Sequence, residues 1–125
     1  MALGSVPCSC GGENSNCFRC FGSGMLESIY EAALTQELRA SGLVVETQVP
    51  QAAIYKGVSL GIGYRLDMVI NRAVVVEIKS VEHVLPVHHH QLLTYLRLTG
   101  HKLGYLINFC SPLLKDGIFR KANGL

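Results

Sequence analysis

Three valines in a row, Val74-Val75-Val76, followed at once by Glu77-Ile78-Lys79, constrain this chain more than any other stretch. Side chains alternate between the two faces of a strand, so a run that is apolar at every position needs cover on both sides. This predicts a central strand over 74–79 in a layered α/β fold. Glu77 and Lys79 then share one face, and Ile78 takes the other. An isolated buried charge is too costly to keep, so an acid and a base at this position must be paired or must hold a metal.

Asp67 lies on the preceding strand. If Asn71-Arg72-Ala73 is a three-residue loop, Ile70 pairs with Val74 and Asp67 falls opposite Glu77, with Cβ atoms roughly 5 Å apart. Two carboxylates that close repel each other, and a divalent cation between them is the natural explanation. A two-residue loop would put them on opposite faces. The plainer alternative is an exposed strand edge with ordinary salt bridges.

The rest of the chain reads as alternating elements. Leu26, Ile29, Tyr30, Ala33, Leu34 and Leu38 recur at helical spacing and predict an amphipathic helix over 25–41, with Ser23 as N-cap and Gly42 as the stop. Leu43–Val49 reads as a strand ended by Pro50. Ala52–Tyr55 and Val58–Leu60 flank a Lys56-Gly57 turn, and Gly63–Ile70 is a stronger strand. His89–Leu98 reads as a second helix ended at Gly100, and Leu103–Phe109 as a buried strand. Leu113–Ala122 closes the chain as a short segment of unassigned type. The order predicts a mixed sheet flanked by helices.

The chain has 125 residues, 49% of them hydrophobic, which suits one core. Net charge is only +2, so phosphate binding would have to come from local clustering. Arg65, Arg72, Lys79, Lys115, Arg120 and Lys121 could line such a path, or form an ordinary solvated face. No apolar stretch approaches the ~20 residues of a membrane span. The N-terminus lacks the pattern of a signal peptide. The expectation is a soluble, cytoplasmic protein with no membrane partner.

Gly24-Met25-Leu26-Glu27-Ser28-Ile29-Tyr30 resembles the signature of the GxxExxY proteins, a branch of the PD-(D/E)XK nuclease superfamily. Gly63-Tyr64-Arg65-Leu66-Asp67 looks like its acidic strand, Glu77-Ile78-Lys79 like its ExK motif, and Gln91-Leu92-Leu93-Thr94-Tyr95 like the QxxxY motif of RecB-like nucleases. Leu85-Pro86-Val87-His88 and Leu113-Leu114-Lys115-Asp116-Gly117 also look like family segments. The resemblance covers roughly residues 22–121. Motifs that are weak singly are specific together when they come in the right order.

The resemblance implies a restriction-endonuclease-like core over 24–125 and a metal-dependent nuclease acting on nucleic acid, DNA in the first instance. Asp67, Glu77, Glu27 and the Ile78 backbone carbonyl would hold Mg²⁺ or Mn²⁺ through hard oxygen donors. Lys79 would orient the attacking water or neutralise the phosphate. Gln91 and Tyr95 would position the nucleic-acid backbone or the water, and Arg65 and Lys115 would bind phosphates. The alternatives are a non-catalytic nucleic-acid-binding or assembly module on the same fold, or a small zinc-dependent interaction protein.

The family's usual first helix is replaced here by a Cys-rich arm over 1–23. The side of the core it would cover is then left to the arm, to a homodimer mate or another protein, or this copy is degraded. Cys8, Cys10, Cys17 and Cys20 could close a tetrahedral Zn²⁺ site or hold an iron–sulfur cluster, or be plain thiols. Cys110 reads as core. His88, His89 and His90 fan about 100° apart on a helix and cannot chelate one ion together. They read as a polar helix start, with His88 near the site mouth.

Overall fold

The computed structural model describes residues 27–111 and 113–124. The cysteine arm, its Zn²⁺ or iron–sulfur expectation, the Ser23 cap and Gly24–Leu26 lie outside the described residues.

The order of elements is α1 (Glu27–Ala40), β1 (Val45–Tyr55), β2 (Val58–Ile70), β3 (Val74–Lys79), α2 (Pro86–Thr99), β4 (Leu103–Asn108), a 3₁₀ turn (Leu114–Gly117) and β5 (Ile118–Ala122). One five-stranded sheet runs β1-β2-β3-β4-β5. β3 and β4 are parallel, and the other neighbours are antiparallel. A parallel pair needs a crossover, which α2 supplies.

The triple valine does what its pattern requires. Val76 and Ile78 pack with Tyr30, Leu34 and Leu38 of α1, while Val75 packs with Leu92 and Leu96 of α2. β3 is therefore covered on both faces. α1 ends in a Schellman turn at Gly42, whose φ is +88°. Leu43 N–H donates to the Leu38 carbonyl, and Gly42 N–H to the Arg39 carbonyl. α2 stops at Gly100 in the left-handed region.

Three boundaries differ from the sequence expectation. β1 does not stop at Pro50, which sits in the ladder opposite Arg65. β1 is an edge strand, and an edge strand accommodates a residue without an N–H. Gly63–Ile70 extends back to Val58, so β1 and β2 form one long hairpin over the Lys56-Gly57 turn, both of whose residues have positive φ. α2 begins at Pro86 rather than His89, because proline is favoured in the first helical turn and His88 Nδ1 accepts the Leu85 N–H at 3.0 Å. The closing segment resolves into the 3₁₀ turn and β5.

Gly104 lets α2 lie close to β4. A Cβ there would stand 3.1 Å from methyl groups of both Leu92 and Leu96. Gly104→Val should therefore lower stability by about 1–3 kcal/mol, read from the urea midpoint at unchanged slope.

Candidate active site

The β2–β3 turn sets the site. Ile70 pairs with Val74, as a three-residue loop requires, and the ladder continues only to Met68↔Val76. The next pair in register is Asp67 and Glu77. There backbone pairing gives way to side chains. Ile78 N–H donates to Asp67 Oδ2 at 2.8 Å, and Asp67 N–H donates to Glu77 Oε1 at 3.3 Å. Each carboxylate takes a donor from the opposite strand that a regular ladder would have used.

Asp67 can reach sideways because the hairpin changes face at that point. Between Thr47↔Met68 and Val49↔Leu66, the intervening Gln48 and Asp67 drop out of the β1–β2 ladder. Gln48 has φ +51°, a conformation that a residue with a Cβ rarely adopts. Across this break the alternation inverts. Met68 and Ile70 face α1, whereas Leu66 and Tyr64 face α2; Val45 and Val49 invert likewise on β1. The Asp67 and Glu77 carboxylates thus meet as expected, but by this inversion rather than as simple pleat neighbours.

Burial makes the pair unequal. Glu77 is only 5% exposed. Loss of water pushes its pKa up to about 8, and the Asp67 charge and a side-chain hydrogen bond to Asp67 push the same way, against the Asp67 N–H and the Lys79 charge. Glu77 is therefore the more readily protonated acid of the pair, with Asp67 hydrogen-bonded against it. Tyr95 is raised as well, first by burial and then by the charges of Glu77 and Asp67, with Gln91 opposing. Gln91 Nε2 donates to the Tyr95 hydroxyl at 2.9 Å. The Gln–Tyr pair of α2 thus faces the acidic pair as one unit.

Glu27 is placed differently. Its Oε1 accepts from Ser80 N–H at 3.2 Å, just beyond Lys79. Among the described residues, no three His, Cys, Asp or Glu side chains gather into one ligand cluster. The three-carboxylate set expected from sequence is an acidic pair with a flanking Glu27 docked on the strand end. Arg65 is exposed two residues before Asp67, and Lys115 is exposed on the 3₁₀ turn that follows β4. Arg72 lies in the β2–β3 turn, at the far end of the strands, paired with Glu46 at 3.5 Å. Arg120 and Lys121 pair with Tyr105 and Gly104, toward the N-terminal end of β4 and away from Lys79. The six basic residues thus do not form a single track. His88 serves the start of α2, and His89 lies edge-on to Phe119 at 4.9 Å.

Three contributors escaped sequence reasoning. Tyr64 stacks on Tyr95 at 4.6 Å, and its parity with Leu66 on β2 was the available signal. Glu31, one turn after Glu27, accepts from Gln48 Nε2 at 3.0 Å, and its raised pKa comes first from burial and in part from Asp67. Asn108, a buried polar residue ending β4, sits beside Lys79. It accepts from Val81 N–H and donates to the Val81 carbonyl, fixing the chain that leaves β3. Tyr30, by contrast, is wholly buried and stacks on Phe109 at 4.7 Å, anchoring α1 to the same end of the sheet.

A family model described as the PD-(D/E)XK nuclease superfamily matches residues 10–121. The chain belongs to the PD-(D/E)XK nuclease superfamily. The mixed sheet between two helices is the restriction-endonuclease-like core of that superfamily. A solved structure titled "Crystal structure of SSO0001" is similar, with TM-score 0.52 and 27% identity over 76% of this chain. This chain spans 48% of that protein's length. A search of curated proteins finds no match. No helix among the described residues is long and apolar enough to cross a membrane.

The raised pKa of Glu77 makes stability depend on pH. Unfolded, the group titrates near 4.5; folded, near 8. The folded chain holds the extra proton between those values, so this contribution is complete below about 4.5 and is lost as pH rises toward about 8. Metal-free protein should therefore lose stability across that window, and Glu77→Gln should flatten the slope. Urea unfolding at a series of pH values checks it; a stability that rises with pH and is unaffected by Glu77→Gln would contradict it.

Proposed function

We propose that this chain is a Mg²⁺- or Mn²⁺-dependent nuclease that hydrolyses phosphodiester bonds in DNA, in the GxxExxY branch, acting in the cytoplasm. The observation that carries the reading is the pair of acids meeting where the β2–β3 ladder breaks. A fold gains nothing in stability by setting Asp67 against a buried Glu77. The chemistry of the donors suits a hard divalent cation: two carboxylates, with the Ile78 backbone carbonyl on the same strand segment. Burial and the Asp67 charge favour a proton on Glu77, and a cation bound by the pair would displace it.

Asp67 and Glu77 are the residues that would hold the ion, with Glu27 flanking. When bound, the ion supplies charge stabilisation at the attacked phosphate and an acidified water. Lys79 acts beside Glu77, placing a positive charge that orients the attacking water and offsets phosphate charge. Gln91 and Tyr95, already bonded to each other, offer amide and hydroxyl groups that align the sugar–phosphate chain. Arg65 and Lys115 take flanking phosphates. Ser80 N–H holds Glu27 against the end of β3, which keeps α1 registered on the site. The non-catalytic binding reading keeps the basic residues but gives the acidic pair no task.

The variants separate these roles. Asp67→Asn and Glu77→Gln should abolish cleavage at ordinary Mg²⁺, with partial rescue by raised Mn²⁺, which binds such sites more tightly. Lys79→Ala should lower turnover by about 10²–10⁴-fold while leaving metal affinity equal or higher. Nucleic-acid binding should persist in all three. Cleavage of labelled DNA and RNA panels, with and without metal, is the assay. Binding without cleavage in the unmutated chain, indifferent to Asp67→Asn, would replace the enzyme with the binding module.

A further inference from the structure

The β1–β2 hairpin carries a second feature that the acidic pair does not use. Beyond Asp67, β2 leaves β3 and pairs only with β1, so the ribbon projects past the sheet. On its α2 side it forms a groove of about 440 Å³, lined by Gln51, Ala52, Ala53, Ile54, Gly63, Tyr64 and, from α2, Leu98. Ile54 and Leu98, at 63% and 65% exposed, are apolar walls left open to water. Small residues make the concavity. A Cβ on Gly63 would come within 2.6 Å of the Ala53 Cβ, so the floor admits no larger side chain.

The groove adjoins the acidic pair along β2, where Tyr64 stands three residues before Asp67. Tyr64 lines it, Tyr95 stacks on Tyr64 at 4.6 Å, and Tyr95 feels the charges of Asp67 and Glu77. Tyr95 itself does not line the groove, so Tyr64 separates the two compartments. Directly across the ladder from Tyr64 is Gln51, whose side-chain amide makes no hydrogen bond among the described residues. An aromatic ring, two apolar walls and one free amide that both donates and accepts suit a flat apolar body with polar edges. Next to a site that handles the sugar–phosphate chain, such a body is a nucleobase.

We propose that the groove between the β1–β2 hairpin and α2 binds an unpaired nucleobase of the substrate strand, with Tyr64, Ile54 and Leu98 packing its faces and Gln51 reading its edge. The proposal rests on the phosphodiester reading of Asp67 and Glu77, and it deepens that reading to a substrate that is single-stranded or locally unpaired. A base within a duplex has its faces stacked and its pairing edge occupied, and it cannot enter without being extruded.

Equilibrium binding of the full chain, in a metal chelator so that nothing is cut, tests this. The probes are a short single-stranded DNA, its duplex, and a fully abasic strand of the same length. The intact single strand should bind about tenfold more tightly than the abasic strand, as base–aromatic stacking gives. It should also bind more tightly than the duplex. Leu98→Ala and Gln51→Leu, both at positions outside the core, should weaken binding of the intact strand several-fold and leave the abasic strand unchanged. 2-Aminopurine in the strand should be quenched on binding, and less so in Leu98→Ala. Equal binding of intact and abasic strands, or none of either, would overturn the proposal. So would a dimer in light scattering that Leu98→Ala dissociates without touching strand affinity, because the groove would then be a self-interface. If base-dependent binding holds while Mg²⁺-dependent cleavage is absent, the subsite stands and the nuclease reading falls.

Discussion

Two carboxyl groups facing each other across a broken strand pair govern this molecule. Asp67 and Glu77 take backbone donors from each other's strands, so the ladder that should zip β2 to β3 stops at Met68↔Val76. The break frees the rest of β2 to travel with β1 as a projecting ribbon. Glu77 is buried beside it, and that burial pushes its carboxyl pKa up. One electrostatic conflict thus shapes the site, the hairpin and the groove alongside it.

The surrounding structure is arranged to hold that conflict in place. α1 anchors at the same end of the sheet through Tyr30 on Phe109, and its Glu27 pins Ser80. Asn108 locks the chain leaving β3 onto the end of β4. α2 supports Tyr95 and Gln91 from the other face, close over Gly104. The left-handed Gln48 stores local backbone strain opposite Asp67, and such strain persists only when packing over-determines it.

Much of this was legible in the residues. The triple valine fixed β3 to the residue, because a run apolar on both faces admits few other readings. The loop Asn71-Arg72-Ala73 set the register, since loop length alone decides which residues oppose one another. Gly42 and Gly100 marked helix ends through their backbone freedom. What stayed hidden depends on tertiary cover. Pro50 reads as a stop until β1 is known to be an edge. The face inversion at Gln48 and Asp67 leaves no compositional trace, because neither residue is a glycine. Tyr64 and Asn108 look like ordinary strand residues until the neighbours they reach are known. Glu27 was legible as belonging to the site end, though not as a partner of Ser80.

The role proposed for the acidic pair is to share a divalent cation. Anomalous diffraction from crystals grown with Mn²⁺ tests it most directly. A single strong peak between the carboxyl oxygens of Asp67 and Glu77, within about 2.2 Å of each and near the Ile78 carbonyl, is the predicted result. A map with no peak there, and with the Glu77 carboxyl still hydrogen-bonded to Asp67 at saturating Mn²⁺, would contradict it.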